Sequence, residues 1–130
     1  ALRLTSAVSF VKRVPAGARL SYGLRYQALE DSTIATVPVG YADGVPRRLG
    51  RVGGEVLIGG ERYPIAGTVT MDQLLVDVGD AEIVAGDEVV LIGRQGDQEI
   101  TAADWASRLD TIPDEIVGGI GPRVPREYTG

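Results

Sequence analysis

Cysteine and histidine are both absent from this chain of 130 residues, and lysine occurs once, at Lys12. Without cysteine the chain can form no disulfide and offers no thiolate. Without histidine it lacks the commonest metal ligand and the usual general base near neutral pH. We therefore predict no metal site, and any proton transfer must use tyrosine, aspartate, glutamate or Lys12.

Acidic residues outnumber basic ones, and long apolar runs are absent. The net charge is −5, and no basic stripe stands out against it, which argues against a nucleic-acid surface. No apolar run approaches the roughly 20 residues that a membrane-spanning helix needs, and no signal-peptide pattern opens the sequence. We expect a cytoplasmic protein that binds neither nucleic acid nor membranes.

Glycine, in contrast, is abundant, with 18 residues spread along the chain, and 44% of all residues are hydrophobic. This combination is typical of short strands joined by tight turns. The length suits one domain over residues 1–130, large enough to bury a core without disulfides.

Strand-like patterns cover most of the chain. The first is predicted over Ala7–Val14 and the second over Arg19–Tyr26, where Gly23 indicates a bulge or a close approach by a ligand. Tyr22 and Tyr26 would share one face of this second strand, and such a pair can simply cover the side of a barrel. Further strands are predicted through Val37 and Val39, and over Glu55–Ile58, Glu61–Ile65, Ile65–Val69, Leu74–Val78, Glu88–Gly93 and Gln98–Ile100.

One helix is predicted from about Ala102 to Leu109, because Thr101 can cap it and Asp104 lies three residues on, as in a capping box. Trp105 would fill the core, a further helical turn is predicted over residues 114–117, and the proline-rich tail indicates an edge strand or a docked arm. The predicted fold is mainly β: a small closed or partly open antiparallel β-barrel of six to eight strands with one or two short helices.

The most informative loop lies after the strand through Val37. Gly40 and Gly44 bracket Tyr41, and Arg47 and Arg48 follow closely. Glycine at both ends permits a sharp turn that holds the tyrosine out at the strand end, as at the rim of a site. A surface hairpin with a solvated acid and base pair would give the same pattern.

Four stretches together resemble the C-terminal domain of alanine racemase, the enzyme that interconverts L- and D-alanine with pyridoxal phosphate and supplies D-alanine for peptidoglycan. They are Leu20–Gly23, Val39–Gly44, Thr68–Gln73 and Arg123–Arg126, and their order and spacing match over essentially the whole chain. The resemblance implies a small β-barrel that follows an N-terminal (β/α)8 barrel, where the cofactor is held. It also implies a head-to-tail homodimer in which this domain completes the active site of the partner subunit.

Site residues follow from this resemblance position by position. Tyr22 matches the catalytic tyrosine, which exchanges the α-proton on one face of the substrate. Its ordinary pKa near 10 makes it a poor base unless positive charge or hydrogen bonds favour the phenolate. Met71 matches the residue whose backbone N–H receives the substrate carboxylate, with Asp72 beside it, although a lone methionine is more often a core filler. Tyr41 and Arg47 resemble residues of the substrate entry corridor.

The sequence also departs from the family pattern. Thr68 replaces a corridor arginine and Thr70 replaces a cysteine. Asp114 stands where the family usually has a tyrosine that contacts the cofactor phosphate, and a carboxylate there would repel that dianion. Gly118 and Gly119 replace a larger pair. The changes are those expected of a domain that diverged, or was engineered, to stand alone.

The family's cofactor lysine lies in the N-terminal barrel, and Lys12 does not match it. We therefore expect no pyridoxal phosphate on this chain alone and no racemase activity from it. An alternative is a monomeric, non-catalytic scaffold or assembly module derived from this domain. A generic β-barrel adaptor is a third interpretation, favoured only if Tyr22, Tyr41 and Met71 lie far apart.

Overall fold

The computed structural model describes residues 2–20, 26–111, 113, 116 and 126–128. Within them the chain forms short strands and one α-helix, and every strand pair is antiparallel. The elements are β1 (Leu2–Ala7), β2 (Phe10–Val14), β3 (Arg19–Leu20), β4 (Tyr26–Gln27), β5 (Ser32–Val37), β6 (Glu55–Ile58), β7 (Glu61–Pro64), β8 (Leu74–Gly79), β9 (Glu88–Gln95), β10 (Gln98–Ile100), α1 (Ala102–Leu109) and β11 (Arg126–Tyr128).

The largest sheet has the order β11-β1-β9-β6-β7, with β10 paired to the far end of β9. Its central strand, β9, contains the continuous apolar run Val89–Ile92, which is buried throughout. Such a run suits a strand covered on both faces. The tail strand β11 lies at the edge of this sheet, as the proline-rich sequence before it predicts.

A second sheet has the order β2-β5-β8, and β3 pairs with β4 alone. An isolated bridge between Ile65 and Val76 connects the end of β7 to β8. The prediction of a mainly antiparallel β fold with a short helix is confirmed. The described strands form three sheets rather than one closed cylinder, so the partly open form of the prediction applies.

The predicted strand over Ala7–Val14 is confirmed over Phe10–Val14, but its start is wrong, because Ala7 ends β1, which belongs to a different sheet. The chain changes sheet at two residues: the N–H of Val8 donates to the carbonyl of Asp87 (2.9 Å), and the N–H of Ser9 donates to that of Thr36 (2.9 Å). On either side of these two residues β1 pairs with β9 and β11, whereas β2 pairs with β5, so one strand cannot cover the whole stretch.

The predicted single strand over Arg19–Tyr26 is also wrong. Leu20 lies opposite Tyr26 in the antiparallel β3–β4 pair, so the two ends of that stretch face each other across a ladder. Residues 21–25, with Tyr22 among them, lie outside the described residues. The pair is held by a small cluster of Val14, Ala28 and Ile34, on which Leu20 packs.

The third error concerns Ile65–Val69. Only Ile65 makes a strand-like pair, and the chain leaves the sheet at Gly67, which has a φ of +82°. Residues 68–70 then run irregularly towards the turn before β8. This departure matters because it carries the chain to the candidate site described below.

Helix α1 begins and ends as predicted. The N–H of Asp104 donates to Oγ1 of Thr101 (3.0 Å), and the N–H of Thr101 donates to Oδ2 of Asp104 (2.8 Å). Trp105 is only 1% exposed, and it packs into the main core. Of the next predicted turn the structure describes Ile116, which is helical and buried. Among the described helices none is long and apolar enough to cross a membrane.

Candidate functional site

Two segments that are distant in sequence meet beside the start of β8. We call residues 40–47 the Tyr41 loop and residues 68–73 the Met71 turn. The N–H of Tyr41 donates to the carbonyl of Thr70 (2.9 Å), and the N–H of Ala42 donates to the carbonyl of Met71 (3.1 Å). Two consecutive amides of one segment therefore hold two consecutive carbonyls of the other.

Gly40 makes this close approach sterically possible. Its φ of −146° is open to any residue, but a Cβ there would overlap the carbonyl oxygens of Thr70 and Met71. Gly44 differs, because its φ of +100° lies in the left-handed region that favours glycine. The expectation that both glycines provide unusual backbone angles thus holds for Gly44, whereas Gly40 is needed for contact.

Asp43 fixes the shape of the Tyr41 loop from inside. It lies in a short 3-10 turn over Tyr41–Asp43, and only 2% of it is exposed. Its Oδ2 accepts the N–H of Gly40 at 3.1 Å. The interpretation of this stretch as a surface hairpin with a solvated acid is therefore wrong.

The Met71 turn is closed by its own threonine. Both the N–H and Oγ1 of Thr70 donate to the carbonyl of Gln73, at 3.0 Å and 2.9 Å. A cysteine, which the family resemblance predicts here, would donate only weakly through sulfur. The side chain of Met71 is 51% exposed, so its interpretation as a core filler is wrong.

The backbone N–H of Met71 points away from the Tyr41 loop. The described chain contains no cis peptide bond, and in a planar trans peptide the C=O and the next N–H point in opposite directions. Because the carbonyl of Thr70 faces the loop, the N–H of Met71 faces the other way. It has no acceptor within the residues that the structure describes.

Arg47 lies over the same region. Its guanidinium carbon is 5.3 Å from the centroid of the Tyr41 ring, within the range of a cation–π contact. Its carbonyl accepts the N–H of Val69 (3.2 Å), which adds a third main-chain bond between the two segments. The Tyr41 loop thus brings a positive charge to the Met71 turn.

Two adjoining cavities open at this junction. The smaller, about 260 Å³, is lined by Tyr41, Arg47 and residues 68–71. The larger, about 760 Å³, shares Tyr41, Arg47 and Thr68 and adds two arginines, Arg48 and Arg51, with apolar side chains. Its lining is therefore cationic and partly apolar, which suits a small anionic ligand or another protein surface.

Three of the residues predicted from the family resemblance, Tyr41, Arg47 and Met71, line the smaller cavity. Asp72 follows in the same turn and is exposed. Tyr22, Asp114, Gly118 and Gly119 lie outside the described residues, so the predictions about them remain predictions. Among the described residues, no three histidine, cysteine, aspartate or glutamate side chains are grouped to hold a metal ion.

The sequence places Asp43 in the rim-like loop but does not predict that it is buried, and it does not predict that Arg51 lines the cavity. An aspartate set three residues after a glycine, at the end of a strand, was the available signal for Asp43. Arg51 carries no such signal, because it reaches the cavity through the 3-10 turn over Leu49–Val52.

Tyr26 on β4 is a tyrosine that lines neither cavity and whose pKa is raised. Its hydroxyl donates to Oδ2 of Asp77 at 2.6 Å. Burial is the main cause of its raised pKa, and the hydrogen bond and charge of Asp77 add to it. Since Asp77 lies on β8, the bond also connects β4 to the strand that follows the Met71 turn.

Comparison with known proteins identifies the family. The family model for the C-terminal domain of alanine racemase matches residues 1–128. The alanine racemase of Frankia casuarinae is 52% identical over 128 residues, covering 98% of this chain and 33% of that protein. That of Symbiobacterium thermophilum is 53% identical over 131 aligned residues, covering 100% of this chain and 34% of that protein.

Solved structures agree with these sequence matches. The alanine racemase from E. faecalis superposes with a TM-score of 0.91 at 42% identity, covering 99% of this chain and 34% of that one. The enzyme from Bacillus anthracis with bound L-Ala-P gives a TM-score of 0.86 at 44% identity, covering 92% of this chain and 30% of that one. The chain spans about a third of the length of these relatives. It belongs to the family of alanine racemase C-terminal domains.

Proposed function

We propose that this chain is the C-terminal part of a pyridoxal-phosphate alanine racemase and that, in a homodimer, it completes the active site of the partner subunit. Its homologues are alanine racemases of about three times its length. The part of those relatives that this chain does not match would form the N-terminal barrel. We further propose that residues 1–130 fold as one domain.

The outward-facing N–H of Met71 is the observation that carries this proposal. A main-chain donor without an acceptor in the described chain, at a cavity lined by Arg47, is suited to a carboxylate. An amino-acid substrate provides that group. A hydrogen bond from an amide to a charged oxygen contributes about 1.5–3 kcal/mol, enough to set the orientation of a small substrate.

Tyr22 is our candidate for the proton-transfer residue. Racemisation removes the α-proton on one face and returns a proton to the other, so two groups must lie on opposite sides of the substrate. Leu20, two residues before Tyr22, packs on the same small cluster as Leu75, four residues after Met71. The role of Tyr22 itself is carried over from the family resemblance of Leu20–Gly23.

Tyr26 is the contrasting tyrosine. Desolvation and Asp77 raise its pKa, so it stays protonated at neutral pH and does not serve as a base. Its bond to Asp77 instead ties the β3–β4 pair to β8. We therefore assign proton transfer to Tyr22 and structural support to Tyr26.

Pyridoxal phosphate, when bound, supplies the electron withdrawal that acidifies the substrate α-carbon. This chain alone does not fit its covalent seat, because its only lysine, Lys12, is exposed on β2 opposite Ile34. We therefore assign the cofactor seat to the N-terminal barrel. The predicted repulsion between Asp114 and the cofactor phosphate would weaken binding there.

A coupled D-amino-acid assay tests the proposal. The full-length protein, with an N-terminal barrel and pyridoxal phosphate, is expected to convert L-alanine to D-alanine, whereas the 130-residue chain alone is not. Tyr22→Phe should lower kcat about 10²- to 10⁴-fold, the usual contribution of a proton-transfer group. Tyr63→Phe, on β7, serves as the matched control and should retain activity.

Two results would refute the proposal. One is turnover by the 130-residue chain alone. The other is a full-length protein that binds the cofactor but does not racemise alanine, which would favour the non-catalytic scaffold. Light scattering then distinguishes a homodimer from the monomer expected of such a scaffold.

A further inference from the structure

We propose that Asp43 is a positioning residue for substrate binding: through the Tyr41 loop it holds the Met71 N–H in the direction that receives a carboxylate. The inference rests on the proposed function, since it assumes that this amide meets the substrate. It adds a residue that contacts neither of the two cavities.

The first step is the contact between Asp43 and Gly40. The carboxylate is almost fully buried, and its Oδ2 accepts the N–H of Gly40 at 3.1 Å. A charged acceptor away from water makes a strong hydrogen bond to an amide. This bond fixes the start of the 3-10 turn and hence the directions of the next two N–H groups.

The second step passes from those N–H groups to the Met71 turn. Tyr41 and Ala42 donate to the carbonyls of Thr70 and Met71, at 2.9 Å and 3.1 Å. A peptide with its carbonyl held in this way cannot rotate without breaking the bond. The Thr70–Met71 peptide plane is therefore set by the Tyr41 loop.

The third step is the consequence for the ligand. A hydrogen bond weakens steeply when its angle falls below about 120°, so the direction of the Met71 N–H matters as much as its position. If the Tyr41 loop changes conformation, the Thr70–Met71 peptide plane can rotate, and the Met71 N–H no longer points at the carboxylate. The effect should fall on the carboxylate of the substrate and spare its amine and methyl groups.

A direct chemical role for Asp43 conflicts with its surroundings. The side chain is 2% exposed and has one oxygen committed to the Gly40 amide, and it lines neither cavity. A group that exchanges protons with a substrate must reach it directly or through one water. Positioning is the role that the geometry supports.

The test compares two ligands in the full-length enzyme. L-Alanine carries the carboxylate, and L-alaninol keeps the amine and methyl but has a hydroxymethyl group instead. Asp43→Ala is expected to raise KM for L-alanine about tenfold to a hundredfold, as for loss of a hydrogen bond to a charged group. The inhibition constant of L-alaninol should change less than about twofold, since its binding lacks that bond. Asp43→Asn, which keeps an acceptor oxygen, should lie in between.

Asp87→Ala is the matched control. Its Oδ2 accepts the N–H of Val84, also three residues earlier, at 3.0 Å, in the turn before β9. This variant should leave KM for L-alanine and the inhibition constant of L-alaninol unchanged. If Asp43→Ala is insoluble, Asp43→Asn, which keeps the acceptor oxygen, tests the same selectivity between the two ligands.

The positioning role would be overturned if Asp43→Ala weakened the binding of both ligands equally, or left KM for L-alanine unchanged, in an enzyme whose unmodified form racemises alanine. A parent enzyme without racemase activity would instead overturn the proposed function, and this inference with it.

Discussion

Two short turns of the molecule, Gly40–Asp43 and Thr101–Asp104, contain the same local contact. In each, an aspartate Oδ2 accepts the backbone N–H three residues earlier, at 3.1 Å in the first turn and 2.8 Å in the second. In the second, the Thr101 hydroxyl also accepts the N–H of Asp104, and helix α1 follows. In the first, glycine has no side chain to reciprocate, and the turn ends at once.

The difference lies in where the next N–H groups go. After Thr101 the chain continues as a helix, and its aspartate remains exposed. After Gly40 the amides of Tyr41 and Ala42 donate to the distant Met71 turn, and the aspartate is buried. One contact thus begins a helix in one place and holds a second segment in the other. Four substitutions would break or sharpen this comparison.

The largest effect is expected from Gly40→Ala. A Cβ would overlap the carbonyls of Thr70 and Met71, so unfolding free energy should fall by about 3 kcal/mol, as in severe overpacking. Gly59→Ala is the control: its φ is +61° with nothing within 4 Å of a Cβ, and left-handed strain alone should cost about 1 kcal/mol. Urea unfolding measures both. Equal losses would show that contact with the Met71 turn is not what requires glycine.

Asp43→Ala should have the next largest effect. It should lower the free energy of unfolding by about 2–3 kcal/mol, because it leaves the buried N–H of Gly40 without its acceptor. The same change at Asp104, where water can replace the carboxylate, should cost about 1 kcal/mol. Thermal unfolding of the two variants side by side gives the difference. A larger loss of stability in Asp104→Ala than in Asp43→Ala would contradict the expectation that the buried contact contributes more.

Thr70→Val should cost about 1 kcal/mol, since it removes the hydroxyl bond to the carbonyl of Gln73 but keeps the branched shape. Thr5→Val on β1 is the control, because its hydroxyl makes no hydrogen bond within the described part of the chain, and its effect should stay within about 0.5 kcal/mol. Urea midpoints distinguish the two. A neutral result at residue 70 would mean that the main-chain bond closes the turn unaided.

The smallest effect at neutral pH is expected from Tyr26→Phe, under about 1 kcal/mol for one partly exposed hydrogen bond. Its signature is pH dependence. The pKa of Tyr26 is raised in the folded state, so its contribution is complete below pH 10, about the unfolded value, and is lost as pH rises towards the folded pKa.

Tyr26→Phe should therefore flatten the loss of stability above about pH 10, as measured by urea unfolding across that range. Some slope should remain, because burial and then Glu61 raise the pKa of Tyr63 as well. An unchanged slope would mean that Asp77 and burial do not hold the Tyr26 proton.

Features with local sequence signals were predicted well. Helix α1 and the strands β6, β7, β9 and β10 have caps or glycine turns within a few residues of their ends, and all appear close to their predicted bounds. Local pattern decides these elements because their bonds close within short stretches.

Features that depend on distant partners were not predictable in this way. The break between β1 and β2 follows from bonds to Asp87 and Thr36, far along the chain. The need for Gly40 follows from the carbonyls of Thr70 and Met71. For the site, family resemblance named Tyr41, Arg47 and Met71, which do meet, but it gave no reason for them to meet.

That meeting is made by peptide groups, and this has an evolutionary consequence. An amide proton cannot be deleted by a point mutation, except to proline, so the donor at residue 71 survives almost any replacement of its own side chain. Positions 68 and 70, where the family resemblance predicts an arginine and a cysteine, are threonine in this chain. Selection for this donor therefore acts on the backbone conformation and constrains the side chain at residue 71 little.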